Sequence, residues 1–341
     1  MKLVTGTEER VFEFISKIGN NKVALVSHID LDGIASAKIV NEIVKVNVMK
    51  FVEYEELNLD LAENLKEEGV TRVIFTDLYI QNKDLIESLE EFAEILILDH
   101  HLSPDWNSKK TVSIIGEEGY SAGYLCYYLF SKIKNLEELD WLVACSCISD
   151  YCHKKPKEWL ERVFKKYGDT LEPLGNYVRQ SGRVWDLQIN ISMALIYFKE
   201  KDMKEAYNSI GRKFGDIGNL NKYSKEVKRE IDSIVRGSKT KRESIEKGYF
   251  LEISPVFSTN SIISNIISQD DIHKTWVIIK PEDDFYRVSM RRQDGKGDCN
   301  NFMKKLLLNL KNANGGGHVY ASGGHFMKKD LPKIMERLGL K

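Results

Sequence analysis

The chain has 341 residues, a length that suggests two domains of ordinary size. Its 42% hydrophobic content predicts a core-forming globular protein and excludes a disordered or fibrous chain. The 50 basic and 51 acidic residues nearly cancel, which excludes a global positive field for non-specific nucleic-acid binding. Five cysteines, an odd number without a secretory signal, predict reduced thiols in the cytoplasm. No apolar run approaches the roughly 20 residues that span a bilayer.

The first 100 residues alternate between short apolar runs and amphipathic segments. Strands are predicted at residues 22–28, 49–54, 72–78 and 95–101. Helices are predicted at residues 7–18, 34–45, 59–69 and 83–94. Alternation at this spacing predicts βαβ units and a parallel sheet that is covered on both faces.

The pattern becomes helical from about residue 120 and returns to an α/β pattern near residue 249. Residues 222–242 predict an exposed, charge-rich helix. Beyond it we predict strands at 249–254, 275–281 and 284–292, helices at 259–269 and 299–311, and a glycine-rich loop at 314–326. The predicted fold class is α/β. An N-terminal parallel-sheet domain with a helical extension covers residues 1–190, a helical linker 191–244, and a smaller C-terminal α/β domain 245–341.

The segment SHIDLDG (27–33) places three metal-capable side chains at the end of the first predicted strand. His28, Asp30 and Asp32 alternate along the chain, so an extended backbone would put all three on one face. Gly33 permits a tight turn into the next helix. Such a group beside a helix N-terminus suits a hard cation or a phosphate, although a capping loop explains the same pattern.

The segment ILILDHH (95–101) ends the fourth predicted strand with three polar residues. Because adjacent histidines point to opposite sides of a strand, one can bind a metal while the other faces a substrate. Asp99 can orient the ligating His100 through its second ring nitrogen. Asp77 near the end of the third strand, and Asp150 in a helical segment, are each weak evidence alone because acids often cap helices and turns.

The metal-capable side chains suit two divalent ions better than one. The set consists of His28, Asp30, Asp32, Asp77, His100 and Asp150. Six ligands exceed what one catalytic ion with open positions needs, but they fit two ions about 3.5–4 Å apart that share a carboxylate. Mixed imidazole and carboxylate ligands favour Mn²⁺, with Mg²⁺ or Co²⁺ as alternatives.

A second polar cluster comprises Cys145, Cys147, Cys152 and His153. These residues could bind zinc, but their spacing lacks the paired C-x-x-C pattern of zinc sites. The segment around them is apolar. We therefore predict buried free thiols here.

The motifs and their order resemble a known family. HIDLDG, Asp77, DHH, Asp150 and a distant GGGH are similar to the DHH phosphoesterase superfamily with its C-terminal DHH-associated domain, in particular its RecJ-like and nano-RNase-like exonucleases. The resemblance covers nearly the whole chain. It implies two ions. His28 and Asp30 would bind the first ion, and Asp77 would bridge the two. It implies that the second ion is held by Asp32, His100 and Asp150.

The resemblance also implies roles for residues outside the metal set. His101 would face the phosphate and stabilise developing charge or the leaving group, and Asp99 would orient His100. In the C-terminal domain, Arg291 resembles a phosphate-gripping arginine, whose planar guanidinium suits phosphate. The loop that takes the far end of the substrate would consist of Gly315, Gly316, Gly317 and His318.

The implied function is metal-dependent hydrolysis of single-stranded or short oligonucleotides to 5′-mononucleotides. A phosphatase of 3′-phosphoadenosine 5′-phosphate and a phosphodiesterase of linear or cyclic dinucleotides would use the same core. An aspartyl-phosphate phosphatase with Asp30 as nucleophile would leave DHH and GGGH unexplained. The non-enzymatic alternative is a replication-associated scaffold. Expected partners are short single-stranded RNA or DNA or a nucleotide, with no membrane partner and a homodimer left open.

Overall fold

The structure is a computed structural model, and it describes residues 1–174, 177–178, 181–199 and 201–340. The chain divides into two compact units, Met1–Lys225 and Glu226–Lys341. Each unit contains a six-stranded sheet, so the predicted α/β class is confirmed. The predicted domain limits at residues 190 and 244 stay predictions. No helix in the described ranges has the length and apolar character needed to cross a membrane.

The first unit begins with alternating strands and helices and is mostly helical after residue 116. Its sheet consists of β1 (Leu3–Thr5), β2 (Val23–His28), β3 (Val48–Val52), β4 (Arg72–Thr76), β5 (Glu94–Asp99) and β6 (Thr111–Gly116). Its helices are α1 (Glu8–Ser16), α2 (Leu31–Ile43), α3 (Leu59–Glu67), α4 (Lys83–Glu90), α5 (Ala122–Phe130), α6 (Asp140–Ser149), α7 (Lys157–Lys166), α8 (Arg183–Lys199) and α9 (Met203–Ser209). A short pair is formed by β7 (Pro173–Leu174) and β8 (Tyr177–Val178). The division between the units falls within α10 (Leu220–Lys241). This helix confirms the one that the sequence predicts at residues 222–242.

The sheet of the first unit has the strand order β1-β6-β5-β4-β2-β3. Strands β2 to β5 pair in parallel, as predicted. Strand β6 extends the parallel pairing beside β5, and β1 pairs antiparallel with β6. The central strands are buried along their length because helices cover both faces, which explains their continuous apolar runs. The chain runs from β2 to β3 on one side and then crosses to β4 on the other. Ligands of open α/β sheets bind at such a reversal.

The sequence does not predict β1 and β6. Strand β1 has only three residues, too few to show a periodic pattern. Strand β6 carries Thr111 and Ser113 at fully buried positions, so its apolar run is interrupted. Buried polar residues of this kind weaken the signal that identifies an interior strand.

The second unit has the strand order β13-β14-β12-β11-β10-β9. Its strands are β9 (Glu243–Ile245), β10 (Gly248–Glu252), β11 (Thr275–Glu282), β12 (Phe285–Arg291), β13 (Asn314–Gly317) and β14 (Ala321–Met327). Its remaining helices are α11 (Asn260–Ser268), α12 (Cys299–Leu307) and α13 (Leu331–Leu338). Residues of α12 and α13 form one hydrophobic core with β11 and β12.

The predicted glycine-rich loop at 314–326 is wrong, because these residues form the β13–β14 hairpin. The sequence suggests a loop because glycines weaken strand patterns. In the structure the glycines allow α12 to pack closely on the hairpin. A Cβ atom at Gly315 would lie 2.8 Å from side-chain atoms of both Met303 and Leu307.

Candidate metal centre

The polar residues predicted to bind metal meet at the carboxyl ends of the parallel strands. His28 is the last residue of β2, Asp77 directly follows β4, and Asp99 is the last residue of β5. The reversal of strand order lies between β2 and β4, beside His28 and Asp77. Asp150 directly follows the last residue of α6.

Two groups of ligand atoms share one carboxylate. His28, Asp30 and Asp77 form the first group, whose ligand atoms lie within 4.8 Å of one another. The second group, with the same limit, comprises Asp32, Asp77, His100 and Asp150. Asp77 Oδ2 lies 3.8 Å from His28 Nδ1, and Asp77 Oδ1 lies 3.4 Å from His100 Nε2. One oxygen of Asp77 therefore lies near each group.

Several buried atoms in these groups have no hydrogen-bond partner. They are His28 Nδ1, Asp77 Oδ2 and His100 Nε2. His28 Nδ1 lies 3.0 Å from Asp30 Oδ2, but without the geometry of a hydrogen bond. Unpaired polar atoms are costly in a buried site, and a cation bound to both nitrogen and oxygen would satisfy them. The residues present therefore fit two divalent ions.

The carboxylates of the site are too crowded to be ionised together without added positive charge. Burial raises the pKa of Asp77 well above its usual range, and the charges of Asp30 and Asp32 raise it further. Burial and the same two neighbours raise the pKa of Asp150 to about 8. For Asp30, burial is outweighed by the contact with His28, so its pKa falls to about 2. Protons or cations must compensate the remaining negative charge.

The backbone at two of these acids departs from the sequence prediction. An extended face shared by His28, Asp30 and Asp32 is wrong, because β2 ends at His28 and Asp32 lies in the first turn of α2. Asp30 is the N-cap of α2 and accepts a hydrogen bond from Gly33 N at 2.9 Å. Gly33 is required here, because a Cβ atom would lie 2.1 Å from the carbonyl oxygen of His28.

Asp32 is fixed by a contact that the sequence does not predict. Its carboxylate accepts hydrogen bonds from Ala122 N at 2.7 Å and Gly123 N at 2.8 Å, at the start of α5. The N-terminus of a helix stabilises a negative charge. The small residues of SAG (121–123) permit this approach, because a Cβ atom at Gly123 would lie 2.9 Å from Asp32 Oδ1. Each oxygen keeps a further lone pair for an ion.

The DHH segment also differs from its predicted geometry. Strand β5 ends at Asp99, so His100 and His101 lie beyond it. Asp99 Oδ1 lies 2.8 Å from His101 Nδ1 and accepts a hydrogen bond from the backbone N–H of His100. The prediction that Asp99 orients the ring of His100 is therefore wrong, since its carboxylate holds the ring of His101. The Ser103 hydroxyl, which the sequence does not single out, donates to the other Asp99 oxygen.

Two tyrosines that the sequence does not single out flank the histidines. The ring of Tyr54 stacks on His28 with a centroid distance of 4.9 Å and meets His101 edge-on at 6.3 Å. Tyr79 lies 6.1 Å from the ring of His101. Tyr54 is the last residue of the predicted strand at 49–54 and Tyr79 follows the predicted strand at 72–78, so neither belongs to a metal-binding motif.

The predicted substrate-binding residues lie in the second unit. Arg291, the last residue of β12, donates from Nη2 to Ser261 Oγ at 3.0 Å, while its Nε is buried without a partner. Gly315, Gly316 and Gly317 form part of β13, and His318 begins the hairpin turn with its N–H bonded to the Ala321 carbonyl. The side-chain oxygen of Asn300, 3.6 Å from the Cβ position of Gly316, also lacks a hydrogen bond.

Family models match both units of the chain. Residues 22–148 match the DHH family, N-terminal domain, and residues 258–339 match the DHHA1 domain. The two matches together cover more than half of the sequence, in the order that the motifs predict. The chain belongs to the DHH phosphoesterase superfamily. Its first unit contains the DHH domain and its second unit the DHHA1 domain.

Solved structures of DHH proteins share this fold. The exonuclease RecJ bound to manganese matches with a TM-score of 0.66 and 13% identity, over 99% of this chain and 94% of that one. A DHH-domain protein described as a member of a family of ribosomal proteins matches with a TM-score of 0.64 and 16% identity, over 97% and 89%. CDC45 from Entamoeba histolytica matches with a TM-score of 0.55 and 10% identity, over 97% of both chains. No curated protein matches the sequence.

His28 and His100, the histidines of the two groups of ligand atoms, predict that the stability of the metal-free protein depends on pH. Burial by itself would lower the pKa of His28 and His100, but neighbouring carboxylates, and Cys152 for His100, raise both to about 10. The contribution of these two histidines to the free energy of unfolding is complete below the unfolded pKa of about 6.5, and it is lost as the pH rises through about 10. We therefore expect the melting temperature in EDTA to fall across this range.

The measurement is differential scanning calorimetry in EDTA between these pH values, repeated with saturating Mn²⁺. The raised pKa of Asp150 acts in the same direction up to about 8. Bound cations replace the protons, so Mn²⁺ should remove most of the pH dependence. A melting temperature in EDTA that stays constant or rises would contradict this account.

Proposed function

We propose that this DHH protein is a divalent-metal-dependent phosphodiesterase that releases 5′-mononucleotides from single-stranded or short oligonucleotides. The observation that carries the proposal is the position of Asp77 between two groups of ligand atoms, with one oxygen near each. Two ions that share a carboxylate are the arrangement of many phosphoryl-transfer sites.

The roles of the metal residues in this proposal follow from the two groups. His28 and Asp30 would hold the first ion, Asp32, His100 and Asp150 would hold the second, and Asp77 would be shared between them. The ions would lower the pKa of a water molecule and neutralise charge on the phosphate. The imidazole and carboxylate donors favour Mn²⁺, with Mg²⁺ and Co²⁺ as alternatives. The start of α5 holds the Asp32 carboxylate in place before any ion binds.

His101 acts on the substrate in this proposal, and Asp99 positions it. The carboxylate of Asp99 accepts the proton of His101 Nδ1, which leaves Nε2 for the phosphate or the leaving oxygen. The hydroxyl of Ser103 and the backbone N–H of His100 hold Asp99 itself. A protonated Nε2 can donate its proton to the leaving oxygen, or stabilise its negative charge.

His101→Ala should lower kcat by about 10²–10⁴-fold, the usual contribution of a general acid. Asp99→Asn should lower kcat by up to about 10⁴-fold as well, because the amide fills the position but no longer holds the proton of His101 Nδ1 with a full charge. Metal binding, measured by calorimetry, should stay unchanged in His101→Ala. His325→Ala, at an exposed histidine of the second unit, is the control and should have normal kcat. Loss of both ions in His101→Ala would instead make His101 a ligand.

The DHHA1 unit supplies the proposed grip on the substrate. Arg291 keeps an unpaired Nε, and a guanidinium can bind a phosphate through two parallel hydrogen bonds. The glycines of β13 let backbone groups approach a substrate closely, and His318 lies at the turn that follows them. Arg291 and the segment Gly315–His318 are therefore the substrate-binding residues that we propose for this unit.

The alternative enzymatic functions use the same metal-binding residues. A phosphatase of 3′-phosphoadenosine 5′-phosphate or a dinucleotide phosphodiesterase would need the same two groups of ligands. A replication-associated scaffold would not need them, and the likeness to CDC45 concerns the fold alone. The full set of six ligand side chains favours catalysis over the scaffold.

The test is product analysis of the purified protein with Mn²⁺. Substrates are 5′-labelled and 3′-labelled RNA and DNA of several lengths, from dinucleotides upward, together with 3′-phosphoadenosine 5′-phosphate. Mononucleotides from the chains are the expected product, and the label that is lost first gives the direction. Phosphate release from the bisphosphate alone would replace the proposal with a phosphatase. Two bound ions without any cleavage would favour the scaffold.

A further inference from the structure

The thiol of Cys152 lies beside the second group of metal ligands. Its Sγ, a ring nitrogen of His100 and a carboxylate oxygen of Asp150 all lie within 4.8 Å of one another. Three donor atoms at this spacing can bind one ion. Metal–sulfur and metal–nitrogen bonds are about 2.0–2.3 Å long, so two donors of the same ion lie no farther apart than about twice that length.

The end of α6 holds Cys152 in this position. Tyr151 adopts a left-handed conformation with φ of 57°, which is strained for a non-glycine residue. The chain turns there, and the N–H of Cys152 donates to the carbonyl of Cys147 at 2.8 Å. Asp150 and Cys152 stand on either side of the turn, so both side chains reach His100. Backbone strain next to ligand residues often has a functional cause.

Cys152 differs from the other four cysteines in its surroundings. All five are free and buried, and the burial of Cys145, Cys147 and Cys152 confirms the prediction for their cluster. Cys126, Cys145 and Cys147 belong to the hydrophobic core of the first unit, and Cys299 belongs to that of the second. Cys152 is not part of these cores, so apolar packing explains the others but not this one.

An unpaired polar atom next to Cys152 indicates a place for a cation. His100 Nε2 is buried without a hydrogen-bond partner and lies 3.5 Å from Asp150 Oδ2. Asp77, whose side chain is 2% exposed, places its Oδ1 3.4 Å from the same His100 nitrogen. Polar groups this deeply buried are normally satisfied, so the position that Cys152 borders suits a cation.

We propose that Cys152 supplies a sulfur ligand to the ion bound by His100 and Asp150. The thiol loses its proton to solvent when sulfur binds the metal. Sulfur is a soft donor, so it favours Co²⁺, Zn²⁺ or Cd²⁺ at this position over Mg²⁺. The inference rests on the metal centre of the proposed function but not on phosphodiester hydrolysis. It makes the two positions unequal, since the group of His28, Asp30 and Asp77 has only nitrogen and oxygen donors.

The test is a titration of the EDTA-stripped full-length protein with Co²⁺, followed by absorption. The wild-type protein should develop a near-ultraviolet charge-transfer band from thiolate to Co²⁺ together with visible bands of bound Co²⁺. Cys152→Ser should lose the charge-transfer band and keep the visible bands. Cys145→Ser is the matched control, since serine can keep the hydrogen bond of Cys145 to the Val184 carbonyl, and it should keep both.

A calorimetric titration gives a second readout. Cys152→Ser should bind Cd²⁺ at least about tenfold more weakly and bind Mg²⁺ almost unchanged. Near-ultraviolet circular dichroism shows whether Cys152→Ser folds, and Cys152→Ala replaces it if it does not. A charge-transfer band that persists in the folded variant, or that wild-type protein lacks with Co²⁺ bound, overturns the inference. Failure of wild-type protein to bind Co²⁺ overturns it as well.

The titration and the product analysis fail independently. If the band depends on Cys152 but no oligonucleotide is cleaved, the sulfur ligand stands and the proposed function falls. If oligonucleotides are cleaved but the band does not depend on Cys152, only the sulfur ligand falls.

Discussion

Asp77→Asn should lower the rate of phosphodiester hydrolysis by about 10³-fold or more while raising the melting temperature of the metal-free protein. The neutral amide cannot serve as an anionic ligand between the two groups. In the absence of metal, the carboxyl of Asp77 is buried among other acids and its pKa is raised well above the usual range. Removing it relieves like-charge repulsion. Asparagine tolerates the left-handed conformation of this residue, with φ of 57°, so the backbone should not change.

The opposite signs of the two effects separate a functional role from a structural one. Hydrolysis is measured with Mn²⁺, and the melting temperature in EDTA near neutral pH. Asp60→Asn, at an exposed acid in the first turn of α3, is the control and should leave both quantities nearly unchanged. Normal turnover in Asp77→Asn would sink the assignment of two ions. A large loss of stability in EDTA would show that Asp77 mainly supports the fold.

Gly33→Ala should lower the free energy of unfolding by about 3 kcal/mol or more and abolish metal binding. Its new Cβ atom would lie 2.1 Å from the carbonyl oxygen of His28 and 2.6 Å from the carbonyl carbon. These are backbone atoms, so no side chain can rotate away. The turn between β2 and α2 must open, and His28 and Asp30 move with it.

Urea denaturation in EDTA measures the stability of Gly33→Ala, and calorimetry measures its binding of Mn²⁺. Gly116→Ala, at the end of β6 in the same unit, is the control. Its new Cβ atom would meet only ordinary contacts at 3.8 Å or more. The prediction fails if Gly33→Ala matches the wild-type protein in both quantities.

The sequence predicts the candidate metal centre because metal-binding residue types stand at the ends of the predicted strands. Apolar runs that end in His28, Asp77 and Asp99 mark parallel strands, whose carboxyl ends meet at one edge of the sheet. That rule suffices to bring these residues together without knowledge of side-chain positions. The individual roles of the ligands, and those of Arg291 and His318, stay predictions.

Contacts between distant segments are beyond such rules. The hydrogen bonds of Asp32 to the start of α5 depend on how α2 and α5 pack, and no local pattern encodes that packing. The pairing of Asp99 with His101 depends on the strand ending one residue before the histidines. The glycines of β13 suggest a loop by composition, yet the close approach of α12 gives them a place in a strand.

The six candidate ligands are spread from His28 to Asp150, and this spacing sets an order of events during synthesis. At about 5–20 residues per second, the ribosome takes on the order of ten seconds to reach Asp150 after Asp30 has been made. In that interval the early acids lack the partners of the second group. The second group of ligand atoms therefore becomes complete only when α6 has formed and packed, long after the acids of α2 have left the ribosome.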